Sequence, residues 1–144
     1  MTFAQILDII SSRLGTEIED VGNAAGFEVD GVPVVLQLAG EDILLVRAEV
    51  GEIPADRREA ILAAAMEANY LYQGTGGATL SILPGDGRLH LQKYNWLERL
   101  DADKVFDMIE RFAETAAAWA RIARDFSARE NVAEPADDFS GMLV

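Results

Sequence analysis

The sequence predicts an α+β domain with the element order α-β-β-β-α-β-β-α, in which an antiparallel, twisted sheet packs with three helices. Three observations carry this prediction. Apolar residues recur at spacings of three and four in three separate stretches, which is typical of helices. Short runs rich in β-branched residues lie between them. Asp30-Gly31 separates two such runs, which strongly indicates a β-hairpin.

The first helix is predicted over residues 3–14, where Phe3, Ile6, Leu7 and Ile10 share one face and Gly15 suits the helix end. Three strands follow, over residues 26–29, 32–38 and 43–50. Turn residues separate each strand from the next, so we expect an antiparallel meander.

A glycine-rich stretch, 74–77, follows the second predicted helix and precedes a strand. Pro54 suits the first turn of this helix, which we expect to run to about Tyr72. Phosphate-binding glycines have the opposite order, because they follow a strand and open a helix. The glycines therefore predict a helix end and a tight turn, not a nucleotide site.

The remaining elements are a hairpin and a long helix. The strands are predicted over residues 78–83 and 88–92, and the helix begins at about Asp101, which we expect to be its N-cap. We expect one domain over residues 1–126 and an acidic, mobile tail over 127–144.

The composition disfavours several classes of partner. The 144 residues include 12 Lys and Arg against 25 Asp and Glu, which gives a net charge of −13. This charge disfavours nucleic acid and anionic membranes. It favours a basic or amphipathic polypeptide as a partner, although solubility alone also explains the acidity. No apolar run approaches the roughly 20 residues of a membrane span, and cysteine is absent. Residues 1–5 lack a basic region followed by an apolar stretch, so we expect no signal peptide. A cytoplasmic protein is the simplest interpretation.

Nothing in the sequence indicates an enzyme. His90, the only histidine, falls on the polar side of its predicted strand. The carboxylate pairs at 101–103 and 137–138 lack the glycine and distal glutamate of a calcium loop. We therefore predict no catalytic residue, no cofactor and no metal site.

The second helix is apolar nearly all round, so both of its sides need to be covered. One side suits the protein's own sheet, and we expect a second copy of the chain on the other. The alternative is that the third helix covers it. The predicted interface consists of Ile61, Leu62, Ala65, Ala68, Asn69 and Tyr72.

Over roughly residues 3–126 the chain resembles the class I type III secretion chaperones of the Tir chaperone (CesT-like) family. The resemblance lies in the element order, in Glu67-Ala68-Asn69-Tyr70-Leu71, in Gly74-Thr75-Gly76-Gly77-Ala78-Thr79-Leu80, in the Asp86-Gly87-Arg88-Leu89 turn and in a final helix that ends near Trp119.

The resemblance implies a cytosolic homodimer, built through the middle helix, that is not an enzyme. It would hold the N-terminal segment of a secreted effector in an extended form. The candidate partner-binding residues are Phe3, Ile6, Leu7 and Ile10 on the first helix, and Val34, Leu36 and Leu38 on one face of the second strand. Val35 represents the other face, and every one of these residues also suits an ordinary core.

Three further alternatives stay open. Tyr94 and Trp96 suit either a peptide-docking platform or packing between the sheet and the last helix. The apolar end of the tail, 139–144, suits disorder or an effector-like segment in the protein's own groove. The fold also suits an adaptor that binds a folded partner outside secretion.

Overall fold

A computed structural model describes residues 1–128, the side chains of 126–128 excepted. The predicted element order is confirmed. The elements are α1 (Phe3–Leu14), β1 (Ala24–Val29), β2 (Val32–Ala39), β3 (Ile43–Gly51), α2 (Arg58–Asn69), β4 (Thr79–Ile82), β5 (Leu89–Trp96) and α3 (Val105–Ala128). Residues 137–138 and the apolar segment 139–144 lie outside the described residues.

The five strands form one sheet in the order β1-β2-β3-β5-β4. The predicted hairpin is confirmed: Asp30 (φ 50°) and Gly31 (φ 81°) are both left-handed, as a two-residue type I′ turn requires. At the other side of β3, the Leu97 N–H donates to the Asp42 carbonyl oxygen at 2.9 Å. This bond fixes the register of β3 against β5 and places Tyr94 beside Leu45.

The chain forms two compact units that interleave in sequence. The first consists of residues 1–48 and 92–114, and the second of residues 49–91 and the chain from 115 onward. Because β3, β5 and α3 each contribute to both units, the units are not successive domains. The expected boundary between a domain, 1–126, and a tail, 127–144, stays a prediction.

In the first unit, α1 begins and ends with local hydrogen bonds that the sequence supplies. The Gln5 N–H donates to Oγ1 of Thr2 at 3.2 Å, while the Thr2 N–H donates to Oε1 of Gln5 at 2.8 Å, which forms a capping box. Gly15, at φ 68°, ends the helix. The Arg13 guanidinium lies 4.5 Å above the centre of the Phe106 ring, so its charge faces the negative face of the ring.

In the second unit, α2 buries a stripe of small and branched residues, Ile61, Ala64, Ala65 and Ala68. Leu80, Leu89, Leu91 and Trp119 are among the other buried residues of this unit. This stripe is the part of α2 that belongs to the core of a single chain.

Several element boundaries differ from the predicted ones; α2, for example, begins at Arg58, after a 3₁₀ turn, and not at Pro54. α2 ends at Asn69 and not near Tyr72, because a 3₁₀ turn with a left-handed residue follows. β5 continues to Trp96 and not to residue 92, since its pairing with β3 extends that far. α3 begins at Val105; Asp101 lies one turn earlier, where its backbone carbonyl accepts the Val105 N–H at 3.0 Å.

Candidate binding surfaces

Four apolar side chains lie exposed at the carboxyl end of α2. They form what we call the α2 patch: Met66, Tyr70, Leu71 and Tyr72. Each is between 55% and 75% exposed, although all four lie within seven consecutive residues. Single exposed apolar residues are common on protein surfaces, but a contiguous group of large ones marks an interaction site.

The backbone of the α2 patch is strained. Leu71 (φ 51°, ψ 22°) and Tyr72 (φ 57°) are both left-handed. This conformation costs a residue with a side chain about 1–2 kcal/mol. Such strain persists only where neighbouring contacts enforce it, and it concentrates at functional sites. The turn therefore holds two large apolar side chains in an outward position at a cost in folding free energy.

Contacts on the buried side of the turn enforce this conformation. The Thr75 hydroxyl is buried and donates to the carbonyl oxygen of Ala78. The indole N–H of Trp119 donates to the carbonyl oxygen of Gly74 at 2.9 Å. The Gly74 N–H donates to the carbonyl oxygen of Ala68 at 3.0 Å. The loop after α2 is thereby tied both to its own helix and to α3.

The side chain of Asn69 fixes the end of α2 to β4. Its Nδ2 donates to the carbonyl oxygen of Leu80 at 3.0 Å, and its Oδ1 accepts the Leu80 N–H at 2.9 Å. Both ends of the amide are used by one residue of the strand. These two bonds give Asn69 a structural role within a single chain.

The residues of the predicted interface divide between the core and the surface. Ile61, Ala65 and Ala68 are buried within one chain, Leu62 is half-buried, and Tyr72 is exposed. Met66, Tyr70 and Leu71 are absent from the predicted set, although they are more exposed than any of its members. Charged residues could have identified this side of α2 as exposed from the sequence, because the exposed Glu59 and Glu67 lie on the same side.

A second apolar surface lies on the first unit, on the side of β5 and β3 that faces away from their buried side chains. We call it the β5 patch: Tyr94 and Trp96 on β5 with Leu45 and Ile43 beside them on β3. Tyr94 is 66% exposed and Trp96 is 46% exposed, while the two aliphatic residues are half-buried. Of the two roles open to these aromatics, exposure favours the docking platform.

The predicted partner-binding residues lie mostly inside the chain. On α1 all four, Phe3, Ile6, Leu7 and Ile10, are buried. On β2, Val34 and Leu36 are buried, and Leu38 and Val35 are half-buried. The face of β2 that carries Val34 and Leu36 is therefore the core face. The buried residues among them are not accessible to a partner in this structure.

A polar cluster on the second unit joins the end of β3 to the hairpin between β4 and β5. Nη1 of Arg88 lies 2.9 Å from Oε1 of Glu49, and Nε2 of His90 lies 3.1 Å from Oδ2 of Asp86. The backbone N–H of Arg88 donates to Oδ1 of Asp86, which lowers the pKa of that carboxyl below its ordinary value of 3.8. The Glu49 carboxylate raises the pKa of the Arg88 guanidinium.

This cluster also places one oxygen or nitrogen atom each of Glu49, Asp86 and His90 within 4.8 Å of one another. Such atoms are metal ligands in other proteins. Here the Arg88 guanidinium already holds Glu49, and its positive charge opposes a cation at that carboxylate. Ion pairs and hydrogen bonds account for the arrangement.

Within residues 1–128, every helix is too short or too polar to span a bilayer. No curated protein matches the chain in sequence. A model of the Tir chaperone protein (CesT) family matches residues 5–120, which is most of the chain.

Solved structures share the fold at low sequence identity. The heterodimeric complex ExoU-SpcU from the type III secretion system of Pseudomonas aeruginosa contains a chain that is 16% identical, with a TM-score of 0.67 over 83% of this chain and 98% of that one. The Yersinia pestis type III secretion chaperone SycH, in complex with a stable fragment of YscM2, is also 16% identical, with a TM-score of 0.65 over 82% and 99% of the two chains.

The fold is also found in a protein with a different description. YbjN, a putative transcription regulator from E. coli, is 13% identical, with a TM-score of 0.56 over 86% of this chain and 93% of that one. At these identities the likeness concerns the fold alone.

Proposed function

The chain belongs to the Tir chaperone protein (CesT) family, and from this premise we propose that it is a homodimeric secretion chaperone. It binds the N-terminal segment of a type III secreted effector in the cytoplasm and keeps that segment non-globular until export. The match over residues 5–120 is the observation that carries this proposal. The complexes in which SpcU and SycH were solved support a secreted protein as the partner.

The family and its structural neighbours are binding proteins, and the chain is accordingly not an enzyme. The chain acts by binding other proteins through its surface. A segment that stays unfolded when bound loses conformational entropy on ordering, so the binding surface needs a large apolar area. Two exposed apolar surfaces are available for two different tasks.

We assign the α2 patch to the dimer. Its large apolar side chains are exposed in a single chain. Their exposure to water does not offset the free-energy cost of the strained turn that presents them. A two-fold axis beside the end of α2 would bring two copies of the patch together, as in most homodimers. Tyr72 is thus retained from the interface predicted from sequence, while Ile61, Ala65 and Ala68 support it from within the core.

We assign the β5 patch to the effector. Two aromatic side chains on one strand, flanked by aliphatic ones, provide the kind of contact on which binding energy concentrates. The net charge of −13 favours a segment in which basic residues alternate with apolar ones. The residues predicted on α1 and on the core face of β2 would position this surface from beneath.

The test is co-purification of the tagged chain from its native cell, followed by light scattering of the eluted complex and limited proteolysis. We expect two copies of the chain with one secreted protein, whose N-terminal segment is protected without being globular. Either a monomeric chain or failure to retain any secreted protein would contradict the proposal.

The similarity to YbjN favours a second candidate, an adaptor that binds a folded partner outside secretion. The same experiment separates the two functions. An adaptor's partner would keep its tertiary structure in the complex, and proteolysis would then yield the fragments of a folded domain and not one protected terminal segment.

A further inference from the structure

Arg47 lies next to the β5 patch, on the same side of β3. Buried residues alternate with more exposed ones along this strand, so Ile43, Leu45 and Arg47 share the side that faces away from the core. Successive side chains on one side of a strand are about 7 Å apart. The Arg47 guanidinium is therefore the next group along β3 after the two aliphatic residues of the β5 patch.

Arg47 is also a neighbour of an aromatic residue of the patch. Leu45 has Tyr94 beside it on β5, in the register that the Leu97 N–H sets. Arg47 lies two residues further along β3, which makes it a diagonal neighbour of Tyr94. Diagonal neighbours are about 7–8 Å apart, within reach of long and aromatic side chains. One bound segment can therefore contact the Tyr94 ring and the Arg47 guanidinium together.

The Arg47 guanidinium has no carboxylate partner within the described residues. It is exposed, and neither a hydrogen bond nor an ion pair holds it there. The next acidic residue on this side of β3, Glu49, already lies 2.9 Å from Nη1 of Arg88. The chain contains 25 Asp and Glu against 12 Lys and Arg, yet this cation stays available. A guanidinium presents a rigid fork of donors that fits the two oxygens of a carboxylate.

The other end of the β5 patch carries negative charge. Glu41 and Asp42 directly precede Ile43 in the chain, and both are exposed. Asp42 lies beside Leu97, the residue that follows Trp96. The apolar side chains of the patch thus lie between two carboxylates at one end and one guanidinium at the other. This arrangement of charge gives the surface a direction, which apolar contacts alone do not provide.

We propose that Arg47 is a specificity residue, which binds an acidic side chain of the effector segment next to the apolar residues that the β5 patch holds. The identity of the partner rests on the proposed function. A basic side chain at the other end of the segment lies at Glu41 and Asp42. The net charge of −13 repels an acidic side chain elsewhere, so a shifted or reversed segment loses its favourable pair and gains repulsion. The segment therefore binds in one direction and one register.

Reversal of the charge at Arg47 tests the contact. The probe is a recombinant N-terminal segment of the secreted protein that co-purifies with the chain, and calorimetry measures its affinity. We expect Arg47→Glu to weaken binding by about tenfold. Arg121→Glu, at an exposed arginine of α3, changes the net charge equally. It should change the affinity by less than about threefold, because salt screens the long-range effect of a surface charge. Equal losses in the two variants would overturn the inference.

An exchange of charges separates a direct contact from an effect on the fold. Each acidic residue of the segment is replaced by lysine in turn, and binding to Arg47→Glu is measured. One replacement should restore this binding while it weakens binding to the wild type. The residue concerned should lie two positions from an apolar one, since alternate side chains of an extended segment face the same side. If no replacement restores binding, Arg47 does not bind an acidic side chain of the segment.

Glu41→Lys tests the direction of binding in the same way. Replacement of one basic residue of the segment by glutamate should restore the affinity that this variant loses. The basic residue should lie within about six residues of the acidic one that pairs with Arg47, which is the length of extended chain that joins Glu41 to Arg47. Restoration only from positions much further apart would contradict a single direction and register.

The inference and the proposed function fail in different ways. A segment that binds Arg47→Glu as tightly as the wild type overturns the inference and leaves the proposed function standing. Failure of every secreted segment to bind the wild type overturns both.

Discussion

The indole N–H of Trp119 donates to the carbonyl oxygen of Gly74 at 2.9 Å, and so joins α3 to the glycine-rich loop 45 residues earlier in the chain. Trp119 is 2% exposed, so the donor of this bond is shielded from water. The strained turn that presents Leu71 and Tyr72 lies just before that loop. The exposed apolar surface at the end of α2 therefore depends on a buried bond behind it.

Trp119→Phe should destabilise the fold by about 1–3 kcal/mol, because it leaves the Gly74 carbonyl without its donor. Urea unfolding of both proteins measures the difference. Trp96→Phe is the matched control, since it changes the exposed tryptophan and should alter the free energy of unfolding by less than about 0.5 kcal/mol. Equal losses in the two variants would contradict the importance of the buried bond.

Ile61→Asp and Met66→Asp should separate folding from dimerisation. Ile61 is 1% exposed, so a carboxylate there is buried without a partner and the chain should fail to fold. Met66 is 75% exposed, so Met66→Asp should keep the fold and place like charges at the proposed dimer axis. Circular dichroism and light scattering distinguish the two results. A Met66→Asp dimer as stable as the wild type would place the interface elsewhere.

Leu71→Asn should make a single chain no less stable while it weakens the dimer. Asparagine tolerates the left-handed conformation, so part of the strain of about 1–2 kcal/mol is relieved, whereas an exposed apolar side chain is lost from the α2 patch. Light scattering over a dilution series reports the dimer, and unfolding at low concentration reports the chain. Leu83→Asn, at an exposed leucine outside the patch, should leave the dimer unchanged.

Tyr94→Ser combined with Trp96→Ser should weaken binding of the effector segment by about 2 kcal/mol or more, because aromatic side chains dominate such contacts. Both residues are exposed, so unfolding by urea should change little. Val21→Ser removes an exposed apolar side chain from the same unit and serves as the control. If binding survives the double replacement, the effector does not use the β5 patch.

Asp86→Asn should reduce the dependence of stability on pH in acid. The pKa of Asp86 is lowered in the folded chain, chiefly by the Arg88 N–H, so its carboxylate stabilises the fold above pH 3.8. This contribution disappears as the pH falls from about 4 through the folded pKa. Thermal unfolding between pH 7 and pH 3 should show a shallower decline for Asp86→Asn than for the wild type. Asp8→Asn, on α1, controls for the loss of one charge.

The turns and the order of elements were predictable because they depend on local chemistry. Asp30-Gly31 forms the type I′ turn that this dipeptide favours, and Gly15 ends α1 in the left-handed conformation. Each signal lies within a few residues of its effect. The same reasoning excluded a phosphate loop at residues 74–77, where a helix end precedes the glycines.

The faces and the end of α2 were not predictable in the same way. Apolar residues surround this helix, so periodicity placed Ala68 and Met66 on different faces but did not show that the face of Ala68 is buried and that of Met66 exposed. Leu71 and Tyr72 are poor residues for a left-handed turn, and distant contacts such as that of Trp119 impose it. Tertiary contacts therefore determined which residues form the candidate surface, and the task proposed for that surface rests on the family match.

The two tryptophans give the molecule two independent optical reporters. Trp119 is buried in the second unit, and Trp96 lies exposed on the surface of the first. The fluorescence emission of indole shifts to shorter wavelengths in apolar surroundings. Trp119 therefore reports unfolding, and Trp96 reports the binding of a partner at its ring. A protein that retains Trp96 and carries phenylalanine at position 119 would thus report effector binding as a shift in its emission wavelength, without any added label.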